Sequence, residues 1–286
     1  MDYKILDSGD GKKLEQVGSY KIIRPAMNAF WKPTLSKQEW QKGVNGVYKR
    51  NNKGSGAWDW RNGGLPESWT INFSGINILV KPTNFGHLGF FAEHTKTWNW
   101  VKEYIKQSEK ELNILNLFAY SGVGSILMAK AGAKVCHLDA AKGMIAWGKE
   151  SLALNPDIPS NIRWITDDVI KFLNREIKRG RKYNGVILDP PSYGRGAQGQ
   201  IWKIEDNINE LLELVADVVD KTGEFFIVIS AHTPGFSPIV LERLLKHHFL
   251  SKKNEYIIES GEMGVLEDSG SFIPAGNFAK IVVKTT

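Results

Sequence analysis

Residues 113–139 read NILNLFAYSGVGSILMAKAGAKVCHLD, and the order of textures in this stretch decides the fold. Asn113–Phe118 is an apolar run of strand length. It ends in a glycine turn, Ala119-Tyr120-Ser121-Gly122-Val123-Gly124. Ser125–Ala131 has helical character and stops at Gly132. Lys134–Leu138 forms a second strand that ends on Asp139. The same alternation continues down the chain. Lys142–Leu154 predicts a helix stopped by Asn155-Pro156. Asn161–Ile165 predicts a third strand before Asp167-Asp168, and Val169–Arg179 a helix. Gly185–Leu188 is a fourth strand, ending in Asp189-Pro190-Pro191. Asn207–Val219 sets Leu211, Leu214, Val215 and Val218 at helical spacing. Glu224–Ser230 is a fifth strand and Pro238–His248 another helix. The tail predicts two more strands, Asn254–Glu259 and Phe278–Lys284, running antiparallel. Strands and helices in strict alternation give a mostly parallel α/β sheet with helices on both faces.

Upstream the texture differs. Seven of the ten tryptophans lie between Trp31 and Trp100. Turn signals are dense at Asn45-Gly46, Lys53-Gly54-Ser55-Gly56 and Asn62-Gly63-Gly64. Short β-like runs fall between them, Ser19–Arg24 and Ile71–Val80, the second broken at Ser74-Gly75. Residues 1–80 therefore predict a small β-rich, Trp-rich domain, and residues 81–286 a second domain with a leading segment at 81–112. Exposed tryptophans can stack on bases. The simpler reading is that most fill a small core, and that Trp98 and Trp100 face the following domain.

Charge sharpens this division. Residues 1–110 hold 17 Lys/Arg against 10 Asp/Glu, while residues 111–286 hold 20 against 21. A basic front beside a neutral back suggests an anionic partner gripped by the front. A single cysteine, Cys136, excludes a disulfide scaffold and a multi-cysteine zinc site, and fits a reducing, cytoplasmic location. No run approaches the ~18 apolar residues of a membrane span. The start, MDYKILDSGDGKK, has no apolar core of a secretory signal.

In an open α/β sheet, ligands bind outside the carboxyl ends of the strands. Four strand ends here carry informative residues. Ser121-Gly122-Val123-Gly124 lets backbone approach a ligand and precedes a helix N-terminus. Asp139 can accept two hydrogen bonds from a ribose diol. Asp167-Asp168 is placed to accept from an adenine amino group. In Asp189-Pro190-Pro191-Ser192-Tyr193, the prolines remove backbone donors, so carbonyl and carboxylate acceptors face a substrate amine. Tyr193 can stack on a planar base. Together these ends indicate a ribose-containing cofactor. The dinucleotide fingerprint wants a third glycine where Leu127 stands, which speaks against a nicotinamide dehydrogenase.

The set Asn116–Gly124, His137-Leu138-Asp139, Thr166–Val169 and Leu188–Tyr193 resembles the class I S-adenosylmethionine (SAM) methyltransferases. It is most similar to the large-subunit rRNA methyltransferases of the RlmI and RlmK type. Gly86-His87-Leu88-Gly89-Phe90-Phe91, with Glu93, is similar to the segment preceding their SAM domain. The resemblance covers about residues 80–286; residues 1–80 show no RNA-binding PUA module. It implies a Rossmann-like, seven-stranded, mostly parallel sheet, SAM as cofactor and S-adenosylhomocysteine as product. Phe118, Tyr120, Ser121, Gly122 and Gly124 would line the methionine end. Asp139 would hold the ribose and Asp168, or else Asp167, the adenine. Asp189 and Pro190 would face the transferred methyl and the acceptor, with Tyr193 beside them. Phe90, Phe91 and Glu93 would close the pocket.

One departure narrows the chemistry. Methylating carbon 5 of a pyrimidine needs a cysteine nucleophile. RlmI-type enzymes carry it in a Ser-Cys-Ser step after the fifth strand, where this chain reads Ser230-Ala231-His232. Cys136 falls inside a strand. The expectation is therefore methyl transfer to a ring or exocyclic nitrogen of an RNA base, rRNA foremost, with no metal and no membrane. His232 is either a general base or a structural strand-end residue. A protein or small-molecule amine remains open as the acceptor. So do a nicotinamide dehydrogenase and a non-catalytic SAM- or RNA-binding protein.

Overall fold

A computed structural model of the chain describes residues 2–51, 55–159, 161–195, 201–251 and 254–284. Its backbone divides into two compact units. The first comprises Met1–His94 with Glu150–Asn155 and Gly264–Ala275; the second holds the remainder.

The first unit is built on a five-stranded sheet in the order β1 (Tyr3–Gly9), β2 (Lys12–Val17), β3 (Tyr20–Pro25), β4 (Val44–Arg50) and β5 (Gly56–Trp60). A short helix α1 (Lys37–Gln41) precedes β4, and β6 (Trp69–Phe73) pairs with β7 (Ile76–Val80) as a hairpin. Helix α1 starts on a reciprocal capping box between Ser36 and Glu39. A small core forms from Leu14, Ile23, Trp40 and Val44. Trp40 is buried there, whereas Trp31 and Trp60 keep 40% and 46% of their surface exposed. The tryptophans thus divide between core and surface. Asn45-Gly46, expected as a turn, lies inside β4. Gly46 is needed because a Cβ there would stand 2.9 Å from the ring of Trp60, which stacks on Trp58. Of Lys53-Gly54-Ser55-Gly56, residues 53 and 54 lie outside the described residues.

The second unit starts with α2 (Thr95–Gln107). It then runs β8 (Asn113–Leu117), α3 (Val123–Lys130), β9 (Lys134–Asp139), α4 (Lys142–Ala153), β10 (Ile162–Thr166), α5 (Val169–Lys178) and β11 (Gly185–Leu188). After a small hairpin, β12 (Tyr193–Arg195) and β13 (Ile201–Lys203), come α6 (Ile204–Val218), β14 (Phe225–Ala231), α7 (Pro238–Phe249), β15 (Glu255–Leu266) and β16 (Phe272–Lys284). Seven of these strands form one sheet in the order β10-β9-β8-β11-β14-β16-β15. The first five strands of that order are parallel, and β16 runs antiparallel to β14. This is the Rossmann-like, mostly parallel sheet expected from the sequence. Every residue of β11 and β14 is buried, because helices cover both faces. The strand order reverses between β8 and β11, and in sheets of this kind such a switch point is where ligands bind, outside the carboxyl ends of the strands. Trp98 and Trp100 belong to α2. Trp98 packs on Gly124, and Trp100 meets Phe226 edge-on.

Candidate active site

The loop after β8 carries the strongest backbone signature. Phe118 and Tyr120 have φ of 56° and 53°, a left-handed conformation that side chains rarely adopt. Gly122 follows at φ 86° and opens α3 with no side-chain cap. Two such residues within three positions store strain, which persists only where surrounding structure imposes it. Two anchors do so here. The Tyr120 N–H donates to Asp139 Oδ2 at 2.9 Å, and the Ala119 N–H donates to the Leu138 carbonyl at 2.9 Å. The Phe118 ring meets Trp202, and Tyr120 meets Trp147.

The two glycines serve packing as well as approach. A Cβ on Gly122 would stand 2.9 Å from Trp164, and one on Gly124 would stand 2.7 Å from Trp98 Nε1. Ser121 and Gly124 are buried. The first N–H groups of α3 have no carbonyl one turn back, so this end can take a polar ligand group.

Asp139 ends β9, next to that loop. Its Oδ1 accepts the Ala141 N–H at 2.8 Å. Burial raises its pKa above the ordinary carboxylate value, against the pull of these two N–H donors. An ionised carboxylate has about four acceptor positions, so two remain for a diol. At the end of β10, Asp168 caps α5 by accepting the Lys171 N–H at 3.0 Å. Asp167 accepts the Asp168 N–H at 2.9 Å and pairs with Arg175. Of the two, Asp167 is the more committed to a charge partner.

Asp189 ends β11. Its Oδ1 accepts the Ser230 hydroxyl at 2.6 Å and lies 3.5 Å from His232 Nε2. Ser192 and Thr233 share a 2.6 Å hydrogen bond, which ties the loops after β11 and β14 together. Trp202 Nε1 donates to the Pro191 carbonyl at 2.7 Å. That carbonyl accepts one hydrogen bond, and the Asp189 carboxylate and the Pro190 carbonyl are further acceptors at this end. Tyr193 opens β12 and is half exposed. The ring of His232 backs onto Gly276, where a Cβ would stand 2.8 Å from Nδ1. Trp202, Ser230 and Thr233 were not readable from sequence. Trp202 reaches the site only through the β12–β13 pairing, and no local pattern announces it.

Phe90 is buried in the first unit, edge-on to Tyr3 and tilted against Phe73. Phe91 and Glu93 line a cleft of that unit. Cys136 is buried in β9, and burial pushes its thiol up to about 11. In the basic run after α5, Arg179 and Arg181 are drawn to the buried Glu176 carboxylate, which also accepts a bidentate pair from Arg163.

Residues 32–243 match the family model of S-adenosylmethionine-dependent methyltransferases. The crystal structure of a SAM-dependent methyltransferase from Agrobacterium tumefaciens superposes with a TM-score of 0.90 at 32% identity, covering 98% of this chain and 90% of that one. A methyltransferase complexed with S-adenosylhomocysteine shares the fold at a TM-score of 0.77 and 17% identity, over 98% of this chain and 75% of that one. The ribosomal RNA large subunit methyltransferase K/L of Pseudoalteromonas translucida is 27% identical over 164 residues, 57% of this chain and 22% of that protein. The match thus spans about a fifth of that relative's length. The cofactor is SAM, the four strand ends are those that a sheet of this order turns toward a ligand, and the chain belongs to the S-adenosylmethionine-dependent methyltransferase family.

Proposed function

We propose that this methyltransferase acts on a nitrogen of an RNA base, with rRNA as the leading substrate, by direct attack and without a cysteine adduct. Bound SAM supplies an electrophilic methyl group on a sulfonium. The loop from Phe118 to Gly124 holds its methionine end, Asp139 its ribose and Asp168 its adenine. The fit rests on the imposed left-handed turn at Phe118 and Tyr120 and on the spare acceptors of Asp139. Asp189 and the Pro190 carbonyl accept the N–H groups of an entering amine and aim its lone pair. Ser230 keeps the carboxylate in place, and Tyr193 stacks on the base. Orientation and removal of water carry the rate, since a nitrogen with a lone pair needs no covalent activation.

The observation that carries this reading is Asp189 at the end of the central strand, held from Ser230 and followed by two residues with no N–H. The cysteine route lacks support: the one cysteine is buried with a raised pKa. Similarity to an rRNA methyltransferase and the basic N-terminal third favour RNA over an amine of another kind. Asp189→Ala tests the assignment. Transfer of labelled methyl from SAM to RNA should fall at least 100-fold, while S-adenosylhomocysteine affinity stays within a few fold by calorimetry. A variant that keeps full transfer would remove Asp189 from the reaction.

A further inference from the structure

The first unit contains a cleft of about 180 Å³. Its cationic wall comes from Lys13, Arg24 and Arg50, and its aromatic wall from Tyr48 and Phe85. The wall is built from below by Glu15, which is fully buried. Arg24 gives Glu15 two hydrogen bonds, at 2.6 and 2.7 Å, Tyr3 gives a third at 2.7 Å, and Lys13 lies 3.3 Å away. Burial alone would raise the Glu15 pKa; Arg24, Lys13 and Tyr3 instead hold it down at about 2.

The other side is equally fixed. Arg24 Nη1 donates to the Gly86 carbonyl at 2.8 Å, Tyr48 donates to the Asn84 carbonyl at 2.9 Å, and Trp58 donates to the Thr83 carbonyl at 2.9 Å. Gly86, at φ 79°, lets the Tyr48 ring lie against this loop, where a Cβ would come within 2.6 Å. Three of the five Arg24 N–H donors are thereby engaged. Phe85 stands at the tip of the loop with 66% of its surface exposed.

The charges set the ligand. Lys13, Arg24 and Arg50 outnumber Glu15 and Glu93 by one, so the lining carries a net positive charge and suits an anion. Desolvation and the nearby Arg24 and Arg50 hold the His87 imidazole below its ordinary pKa, so it adds a neutral donor or acceptor. The volume lies below the roughly 300 Å³ at which pockets enclose a whole small ligand. It suits a phosphate group, with an attached base left at the rim beside Phe85. Arginine and lysine with an exposed aromatic ring are the parts that bind a single-stranded nucleic acid backbone.

We propose that this cleft docks one phosphodiester of the RNA substrate, with the neighbouring base stacked on Phe85. The inference rests on the RNA reading above and adds to it the place where the strand is held. The probe is a fluorescein-labelled, mixed-sequence, single-stranded RNA 20-mer, titrated with the full chain by anisotropy over a salt series. Lys13→Glu combined with Arg50→Glu should weaken binding at least tenfold. The slope of log affinity against log salt should become shallower by about 0.7 for each phosphate that the protein no longer neutralises. Phe85→Ala, at an exposed position that spares the fold, should weaken binding at least fivefold. Both variants should leave S-adenosylhomocysteine affinity within twofold. RNA affinity within twofold of wild type in both variants would overturn the cleft while wild-type methylation of RNA kept the broader reading alive. Parallel loss of S-adenosylhomocysteine binding would overturn it too, returning the cleft to the cofactor. A wild-type chain that binds and methylates no RNA, or prefers poly-glutamate, would remove both.

Discussion

Asp139 accepts two backbone N–H groups and is also the residue proposed to hold a ribose. On that proposal one carboxylate shapes the Phe118–Tyr120 loop and reads the ligand that the loop receives. Asp139→Ala should therefore lower S-adenosylhomocysteine affinity about 10- to 100-fold, the loss of one or two charge-assisted hydrogen bonds, as read by calorimetry. It should also lower the melting temperature, because the Tyr120 and Ala141 donors lose their partner. His137, two residues upstream, makes a pH prediction. It is fully buried, with Nδ1 2.9 Å from Ser125 Oγ, and burial drives its pKa down to about 3. The unfolded chain takes up that proton near pH 6.5. Stability from this residue is complete above about pH 6.5 and declines as pH falls toward 3, by about 1.4 kcal/mol per unit inside the window. Thermal melts from pH 7 to 5 should show the decline, and His137→Asn, which cannot charge, should flatten it.

At the scale of elements, the strands and helices of residues 113–249 were legible almost residue by residue, except the β12–β13 hairpin. Their runs are mostly apolar, and several (β9, β10, β11, α3 and α5) end at or within two residues of a Gly or Asp. The α3 glycines were legible as a close approach, but not as an approach of Trp98 and Trp164 to the backbone. Such partners come from other elements. The first unit was much harder to read, and β1 shows why. Its Asp7 and Ser8 occupy buried positions, which breaks the apolar alternation that marks a strand. The burial is satisfied from elsewhere: Asp7 accepts the Thr34 and Leu35 N–H groups and Trp40 Nε1, at 3.1, 2.9 and 2.6 Å. Asp7→Ala should accordingly destabilise the first unit by roughly 2–4 kcal/mol, measured as a lower unfolding midpoint in urea. In the tail, the strands expected at Asn254–Glu259 and Phe278–Lys284 are longer: β15 and β16 run on through Gly264 and Pro274. A Cβ at Gly264 would stand 2.9 Å from the Ile273 carbonyl, so that glycine marks close strand approach rather than a turn.

For the whole molecule, charge and chemistry are divided along the chain. The proposed cofactor site lies at the strand ends of residues 117–139 and 166–193, in a segment whose charges nearly cancel. The cationic excess lies upstream, where a buried glutamate holds two basic groups in place. That division fits the proposed reaction, in which a nearly neutral site acts on one base of a polyanion. The acceptor is the central claim, and product identity tests it most directly. Protein-free large-subunit rRNA should be incubated with the enzyme and isotope-labelled SAM, digested to nucleosides and resolved by mass spectrometry. The account predicts label on a nitrogen-methylated nucleoside, undiminished in Cys136→Ala. Label on carbon 5 of a pyrimidine, or on protein with none on RNA, would contradict it.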